Sequence, residues 1–451
     1  MIHNKRLIPT IIIVFLLSTP FSLLAKSAFS CNIGVADITP LDSVVLAGFA
    51  ARKGLSTAIH YPLKTHCLVI KKSVQKVCII TNDLMEISIE LTHKIKKEIA
   101  EKSGIPYECV FIHCIHTHSA PRVEGWCSVP GKPNWNYRNA TIKTIVDNAV
   151  ATILADESAY QPFTFEIAKS ECDMNTNRCE KNGPCDHDVY ALRLVNKKGN
   201  PIIALLNYSC HPVSLNYLSL VVSTDFPGIT CKQLSEEWKC PVFYFTGASG
   251  NINPAGGLKT DTAYTEKKGR MLAESIERAK FEKLSQSDEL RIVNREIHLP
   301  YQIDSITVEA VNAHVKQITQ WKGVSDTWVD DVYRWQERTL QKLANKEVRN
   351  YLPFQIAAVN IGGVILFFTQ GEPFCEYQQF LRKSLPGRNI FFIAYTNGQN
   401  SYLPSKHAYV TQGYDYETKQ MHVYIDAPFP LSDKMPDVYE AAIKGIVETV
   451  K

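Results

Sequence analysis

The sequence predicts an α/β protein, because short apolar, β-branched runs alternate with longer helical patterns almost to the C-terminus. Five of the apolar runs also end abruptly in a polar group beside Gly or Pro. In α/β sheets the carboxyl ends of strands are where ligands bind, so these ends are the first places to look for chemistry. Composition agrees: 45% of the 451 residues are hydrophobic and 21% charged, the balance of a chain with a real core. One large domain is the simplest division of that length.

Strands are expected at 65–71, 76–82, 108–115, 201–208, 241–246, 289–297, 354–360, 363–369 and 390–396. Helices are expected at 86–102, 138–156, 226–238, 262–281, 305–346 (broken near Gly323) and 434–450. No internal repeat, low-complexity tract or Pro/Ser-rich linker separates them. Trp321, Trp328 and Trp335 recur every seven residues in a helical stretch, the mark of a core stripe rather than a ligand site.

The N-terminus reads as a leader. Lys5 and Arg6 precede a run from Leu7 to Ala25 that is almost wholly apolar, and small-residue cleavage patterns follow at 25–27 and 28–30. The expected organisation is a signal peptide over 1–30 and one domain over 31–451, with the mature chain exported to the periplasm or beyond. An uncleaved membrane anchor is the alternative, since the apolar run nears the ~20 residues that span a bilayer. Cys31 stands where a lipoprotein cysteine would stand, although 28–30 is a poor match to the signal for lipid attachment. The net charge is +4, and no basic stripe interleaves with aromatics, so nucleic acid is not an expected partner. Thirteen cysteines leave at least one unpaired in an exported chain. Cys172, Cys179 and Cys185 cluster in a polar loop where a disulfide is plausible, whereas Cys78, Cys114 and Cys210 lie in apolar runs and read as buried. No CxxC pair points to a thiolate zinc site.

The strand ends carry the chemistry. Val110–Ile115 runs into His116-Thr-His-Ser-Ala-Pro121, and 202–206 runs into Asn207-Tyr-Ser-Cys-His-Pro212. Then 242–246 enters Gly247-Ala-Ser-Gly-Asn-Ile-Asn-Pro254, 364–369 enters Gln370-Gly-Glu-Pro373, and 390–394 enters Tyr395-Thr-Asn-Gly-Gln-Asn-Ser-Tyr402. His116 and His118, two apart, project from one face, so one can bind a metal while the other faces the substrate. His113 belongs to the opposite face and reads as structural. Singly, His211 is an ordinary turn histidine and Glu372 an ordinary cap for a helix starting near Pro373. Together, two His and a Glu are a familiar ligand set for catalytic zinc.

These blocks resemble the neutral/alkaline non-lysosomal ceramidase family, from Asn32 onward and in the family's order. The 116–121 segment is close to the family's His-Thr-His-Ser-Gly-Pro. Gly34-Val-Ala-Asp-Ile-Thr-Pro40, Asn82-Asp83-Leu84, 207–212 with Ser223-Thr-Asp-Phe-Pro-Gly228, Gly371-Glu372-Pro373 and the tyrosine-rich 395–417 segment follow the other blocks. The resemblance implies mixed β-sheets flanked by helices, and zinc held by His116, His211, Glu372 and the hydroxyl of Tyr402. Tyr395, Tyr409, Tyr414 and Tyr416 stand close enough to be alternatives to Tyr402. It also implies that His118 faces the scissile carbonyl and that Arg178 contacts substrate. Zinc would lower the pKa of water to ~7 and polarise the carbonyl, while His118 or a tyrosine hydroxyl protonates the leaving nitrogen.

Two departures shift the substrate question. Where the family has Gly-Asp-x-Ser-Pro-Asn, this chain has Gly250-Asn-Ile-Asn-Pro-Ala255, so Asn251 and Asn253 become candidate substrate-binding residues, with Tyr409 beside them. The family's C-terminal immunoglobulin-like domain is not expected within the 451 residues. The first expectation is therefore a secreted zinc amidase acting on a ceramide-like N-acyl lipid, with peripheral membrane association. The alternatives are the same centre acting on an amide, ester or glycosidic bond of a glycan, and a non-catalytic binding protein. The loop from Trp126 to Tyr137 is a further candidate for lining the pocket.

Overall fold

A computed structural model describes residues 28–124, 133–321, 325–425 and 427–450. The expected leader lies almost wholly outside these residues, as do Trp126 and the predicted helix break at Gly323.

Three main sheets carry the fold, and each repeats one topology. The first contains β1 (Ser30–Asp37), β2 (Lys64–Lys72), β3 (Gln75–Asn82) and β4 (Val110–Cys114). The second contains β5 (Thr164–Glu171), β6 (Asp188–Val195), β7 (Pro201–Tyr208) and β8 (Val242–Thr246). The third contains β9 (Leu290–Pro300), β10 (Tyr351–Ile361), β11 (Val364–Thr369) and β12 (Asn389–Ile393). In each, three strands pair antiparallel in chain order and the fourth is added parallel to the third. A parallel neighbour needs a crossover. It is supplied by the helices α1 (Ile89–Ser103), α3 (Phe226–Trp238) and α7 (Cys375–Ser384); α2 (Trp135–Leu154), α4 (Thr262–Ile276), α5 (Val308–Ile318), α6 (Asp326–Ala344) and α8 (Met435–Thr449) complete the outer layer. Two sheets gain a two-residue edge strand, Gln161–Pro162 and Glu282–Lys283. The recurrence is in topology alone, and it leaves no repeat in the sequence.

The inner strands β3, β4, β7, β8, β11 and β12 are buried on both faces, which is why they read as continuous apolar runs, whereas β1, β5 and β9 are partly exposed. One face of all three sheets turns inward on a shared core that includes Leu68, Ile79, Phe111, Leu205, Phe245, Leu366 and Phe391. The outer faces lie under helices: Ile80 and Ile112 with Leu91 and Ile95, Leu206 and Tyr244 with Phe226 and Leu272, Phe367 and Phe392 with Tyr377 and Ile443. The parallel edge strands meet at the centre. Cys114 N–H donates to Tyr395 O at 3.2 Å, Ala394 N–H to Thr246 O at 3.0 Å, and the Thr246 hydroxyl to Ile115 O at 2.6 Å. This closed contact brings the carboxyl ends of β4, β8 and β12 to one point.

The observed elements follow the expected ones with particular differences. Strands β5 and β6 were not expected, because Lys169, Glu171 and Arg193 interrupt their apolar pattern. The helix expected to 281 stops at Ile276, and the long 305–346 pattern is two helices. Trp328 and Trp335 are buried as the stripe requires, with Trp321 stacked on Trp328 at 6.1 Å. Cys172, Cys179 and Cys185 form no disulfide and face different partners, Met271 O, Glu417 and Asn175. Cys31 is 1% exposed and its thiol packs into the shared core, not at the surface where a lipid would leave the protein. Trp135 and Tyr137 begin α2; the Tyr137 hydroxyl donates to Ile38 O at 2.9 Å, so it braces the first sheet.

Candidate metal centre

His116 follows β4 with a φ of +71°, and Tyr395 follows β12 with a φ of +52°. Non-glycine residues rarely adopt this left-handed backbone, and where it persists the surroundings impose it. Here it turns both rings toward the centre, stacked with centroids 4.2 Å apart and planes at 23°. The Tyr395 hydroxyl is anchored on Ser249 Oγ at 2.8 Å. His211 follows β7, and Glu372 follows β11 in a two-residue strand paired with Tyr402–Leu403. Helix α7 begins only at Cys375 after Phe374, so Glu372 is not its cap. Its carboxylate turns inward instead.

The side-chain atoms converge. Glu372 Oε2 lies 2.8 Å from His211 Nε2 and 3.5 Å from His116 Nε2, and His118 Nε2 lies 3.2 Å from His116 Nε2. Ligand atoms of His116, His118 and His211 all fall within 4.8 Å of one another. The opposite ring nitrogens decide what these atoms are. His116 Nδ1 donates to Met85 O at 3.0 Å, and His211 Nδ1 donates to Ser249 O at 2.6 Å. With Nδ1 committed as a donor, either ring in its neutral form presents a bare lone pair at Nε2. Burial lowers the His211 pKa to about 4 despite the facing Glu372, so the ring is neutral at pH 7. Burial works against the Glu372 carboxylate, whereas a proton on His116 or His211 facing it would hold its pKa well below the ordinary value. Two acceptors, a lone pair and a carboxylate oxygen, thus face each other at 2.8 Å in a buried site. A cation between them removes the repulsion, and two His with one Glu are donors that suit zinc.

His118 differs from the other two. Its Nδ1 is buried and has no hydrogen-bond partner among the described residues. Metal-bound histidines almost always donate the second nitrogen to a carbonyl or carboxylate. His116 and His211 meet that condition and His118 does not. Its ring is set by packing: Phe49 meets it edge-on at 5.0 Å, and a Cβ at Gly48 would fall 2.3 Å from it. Arg52 ties the same loop down by donating to Ala47 O and His118 O.

A cavity of about 260 Å³ opens over the cluster. His116, His118 and Glu372 line it together with Tyr402, Tyr416, Met421, Tyr424, Glu86, Arg122 and Glu124. Tyr402 lies parallel to the His211 ring at 6.5 Å, and burial pushes its hydroxyl pKa well up, so it is a protonated donor.

The remaining expected residues fall elsewhere. The Arg178 guanidinium lies 5.1 Å over the Tyr402 ring and pairs with Glu417 at 2.8 Å, so it bears on the cavity through Tyr402. Asn251 is fully buried; its amide donates to Glu376 at 2.9 Å and accepts from Cys375 N–H at 3.0 Å, which leaves it structural rather than substrate-binding. Asn253 sits in a short strand opposite Thr176 and does not line the cavity. The Tyr409 hydroxyl donates to Leu431 O at 3.1 Å, also away from the cavity. His113 is structural as expected, with Nδ1 on the Thr81 hydroxyl and Nε2 accepting from Thr246 N–H. Sequence reasoning missed Gln399, which donates to Glu372 Oε1 at 2.7 Å, and Glu86. Glu86 carried the same signal as Glu372, a carboxylate just past a buried strand end.

Residues 29–250 match the family described as neutral/alkaline non-lysosomal ceramidase, N-terminal. Neutral ceramidase A of Dictyostelium discoideum is 22% identical over 221 residues, 45% of this chain. The match spans 31% of that relative's length. The crystal structure of neutral ceramidase from Pseudomonas aeruginosa is similar in fold, with a TM-score of 0.67 at 17% identity over 93% of this chain and 74% of that one. A ceramidase complexed with C2 gives 0.67 at 16% identity, over 94% and 76%.

Proposed function

Residues 29–250 are a member of the neutral/alkaline non-lysosomal ceramidase N-terminal family, and from that premise we propose that this chain is an exported zinc-dependent hydrolase cleaving the amide bond of a ceramide-like N-acyl compound. The observation that carries the zinc is the pair of facing acceptors, His211 Nε2 and Glu372 Oε2 at 2.8 Å. His116, His211 and Glu372 would hold the ion, with Tyr402 lining the cavity. Bound zinc supplies Lewis acidity and a nucleophile from water at neutral pH. Met85 O and Ser249 O fix the histidine tautomers, and Gln399 fixes the second Glu372 oxygen. His118, whose Nδ1 is held by no carbonyl, would accept the proton released by the attacking water at Nε2 and deliver it to the leaving nitrogen. The Tyr402 hydroxyl is the donor for the carbonyl oxygen.

Metal analysis of the purified protein and of His211→Ala tests this reading. The expected outcome is roughly one zinc per wild-type chain and little in the variant. Undiminished zinc in His211→Ala removes His211 from the centre.

A further inference from the structure

Because His118 Nδ1 has no partner among the described residues, the place of its ring depends on the backbone to either side. One residue holds both sides. The Thr117 hydroxyl donates to Ser223 O at 2.9 Å, and Ser223 N–H donates to Ser119 O at 2.9 Å. Two positions on, the Asp225 carboxylate accepts from Ser214 N–H and Leu215 N–H, both at 3.2 Å, in the loop that follows His211. The segment 223–225 thus ties the two histidine loops to each other. Asp225 is fully buried with a φ of +59°, a backbone that persists only where its surroundings impose it.

The support comes from outside the centre. The two-residue strands Ala58–Ile59 and Val221–Val222 run parallel, which sets His60 beside Ser223 at their ends. His60 Nδ1 lies 3.1 Å from Ser223 Oγ, and its Nε2 lies 3.6 Å from Glu266 Oε1 on α4. Ser223 Oγ already accepts from Asp225 N–H at 3.0 Å, so its own hydrogen can point at the imidazole. All three groups are satisfied when Ser223 donates to Nδ1 and the ring carries its proton on Nε2, toward Glu266. The order Ser, His, Glu is that of a nucleophile relay. However, Ser223 is wholly buried, so this relay acts only on what Ser223 holds.

We propose that His60 is a positioning residue for His118: by accepting the Ser223 hydroxyl it fixes the segment from which the backbone on both sides of His118 hangs. Without that acceptor the hydroxyl must turn elsewhere, and the oxygen that receives Asp225 N–H shifts with it. The shift passes to Thr117 and Ser119 through the two bonds that Ser223 makes with them. His60→Leu removes the acceptor at similar bulk, whereas His60→Asn keeps a carbonyl oxygen close to where Nδ1 stands. The kinetic arm of the test rests on the hydrolase reading, and the spectroscopic arm does not.

Wild type, His60→Leu and His60→Asn are compared on a short-chain N-acyl amine of the ceramide type. His60→Leu should lose about 10- to 100-fold in kcat, the scale of a reacting group displaced by up to ~1 Å, at unchanged KM and metal content. His60→Asn should recover most of that loss. In parallel, ring nitrogen resonances are recorded on histidine-labelled protein as purified, with those of His118 identified by their disappearance in His118→Gln. They should move in His60→Leu and return in His60→Asn. Ser223→Ala should also move them, and His60→Leu added to it should move them no further. Should His60→Leu fail to fold, His60→Ala takes its place at this half-buried site. Unmoved His118 resonances, or equal displacement by Leu and Asn, overturn the proposal whatever the activity does. So does a wild-type kcat in His60→Leu. If the protein hydrolyses no such amide, the resonances alone decide, and the positioning role stands or falls apart from the hydrolase reading.

Discussion

At the scale of single residues, the centre depends on which nitrogen of each ring is already engaged. Carbonyls at Met85 and Ser249 orient His116 and His211, while His118 is oriented by Phe49 and by the space that Gly48 leaves. This difference predicts the outcome of His118→Gln. The variant should keep its zinc and its melting temperature yet lose at least ~100-fold in turnover, the ordinary scale of acid–base help. Loss of zinc together with activity would instead make His118 a ligand, which its 3.2 Å approach to His116 Nε2 leaves sterically open. His116, His118, His211 and Glu372 were legible in the sequence because each follows a strand end. Glu86 carried the same signal without drawing notice. Asn251 and Tyr409 bond to other parts of the fold and Asn253 is not among the residues lining the cavity, positions that local sequence does not tell from cavity ones.

At the scale of elements, the outer helices carry a pH-sensitive contact of their own. His314 on α5 and His422 meet at 3.0 Å between Nε2 atoms, packed against Trp335 and Phe429. Burial lowers the His314 pKa to about 4 and holds His422 well below its ordinary value. An unfolded histidine titrates near ~6.5. Between that pH and about 4, the unfolded chain binds a proton at His314 that the folded chain does not. Stability therefore falls as pH drops through this window and levels off below it. Urea midpoints for wild type and His314→Leu across the window check the sign. The variant should be less stable at pH 7 but show a shallower slope, by up to ~1.4 kcal/mol per pH unit. Parallel slopes would show that His314 titrates normally in the fold.

At the scale of the molecule, three copies of one topology place three parallel edges around a single point. Asn207 joins two of them, its amide donating to Phe245 O and to Phe392 O, both at 2.9 Å. Asn82 makes a similar bond to His113 O at 3.0 Å in the first sheet. Asn207→Leu removes both donors and leaves two buried carbonyls unmet. At ~1–3 kcal/mol for each, a loss of roughly 2–6 kcal/mol is expected, read as a lower denaturation midpoint with an unchanged slope. A loss below ~1 kcal/mol would mean that water or a shifted neighbour satisfies both carbonyls.

What could be read along the chain was local: the α/β class, most strand and helix positions, and polar residues just beyond apolar strands. Those features follow from periodicity, because a strand buried on both faces must be apolar throughout and must end where the chain turns polar. Which strand ends share a site depends on contacts between distant residues. His211 and Glu372 touch across 161 positions of sequence, and no periodicity encodes that distance. The recurrence of the three sheets, the tautomers set by Met85 and Ser249, and the unmet oxygen of Glu86 all arise from packing between sheets. They became visible once the three edges were seen to close on one another.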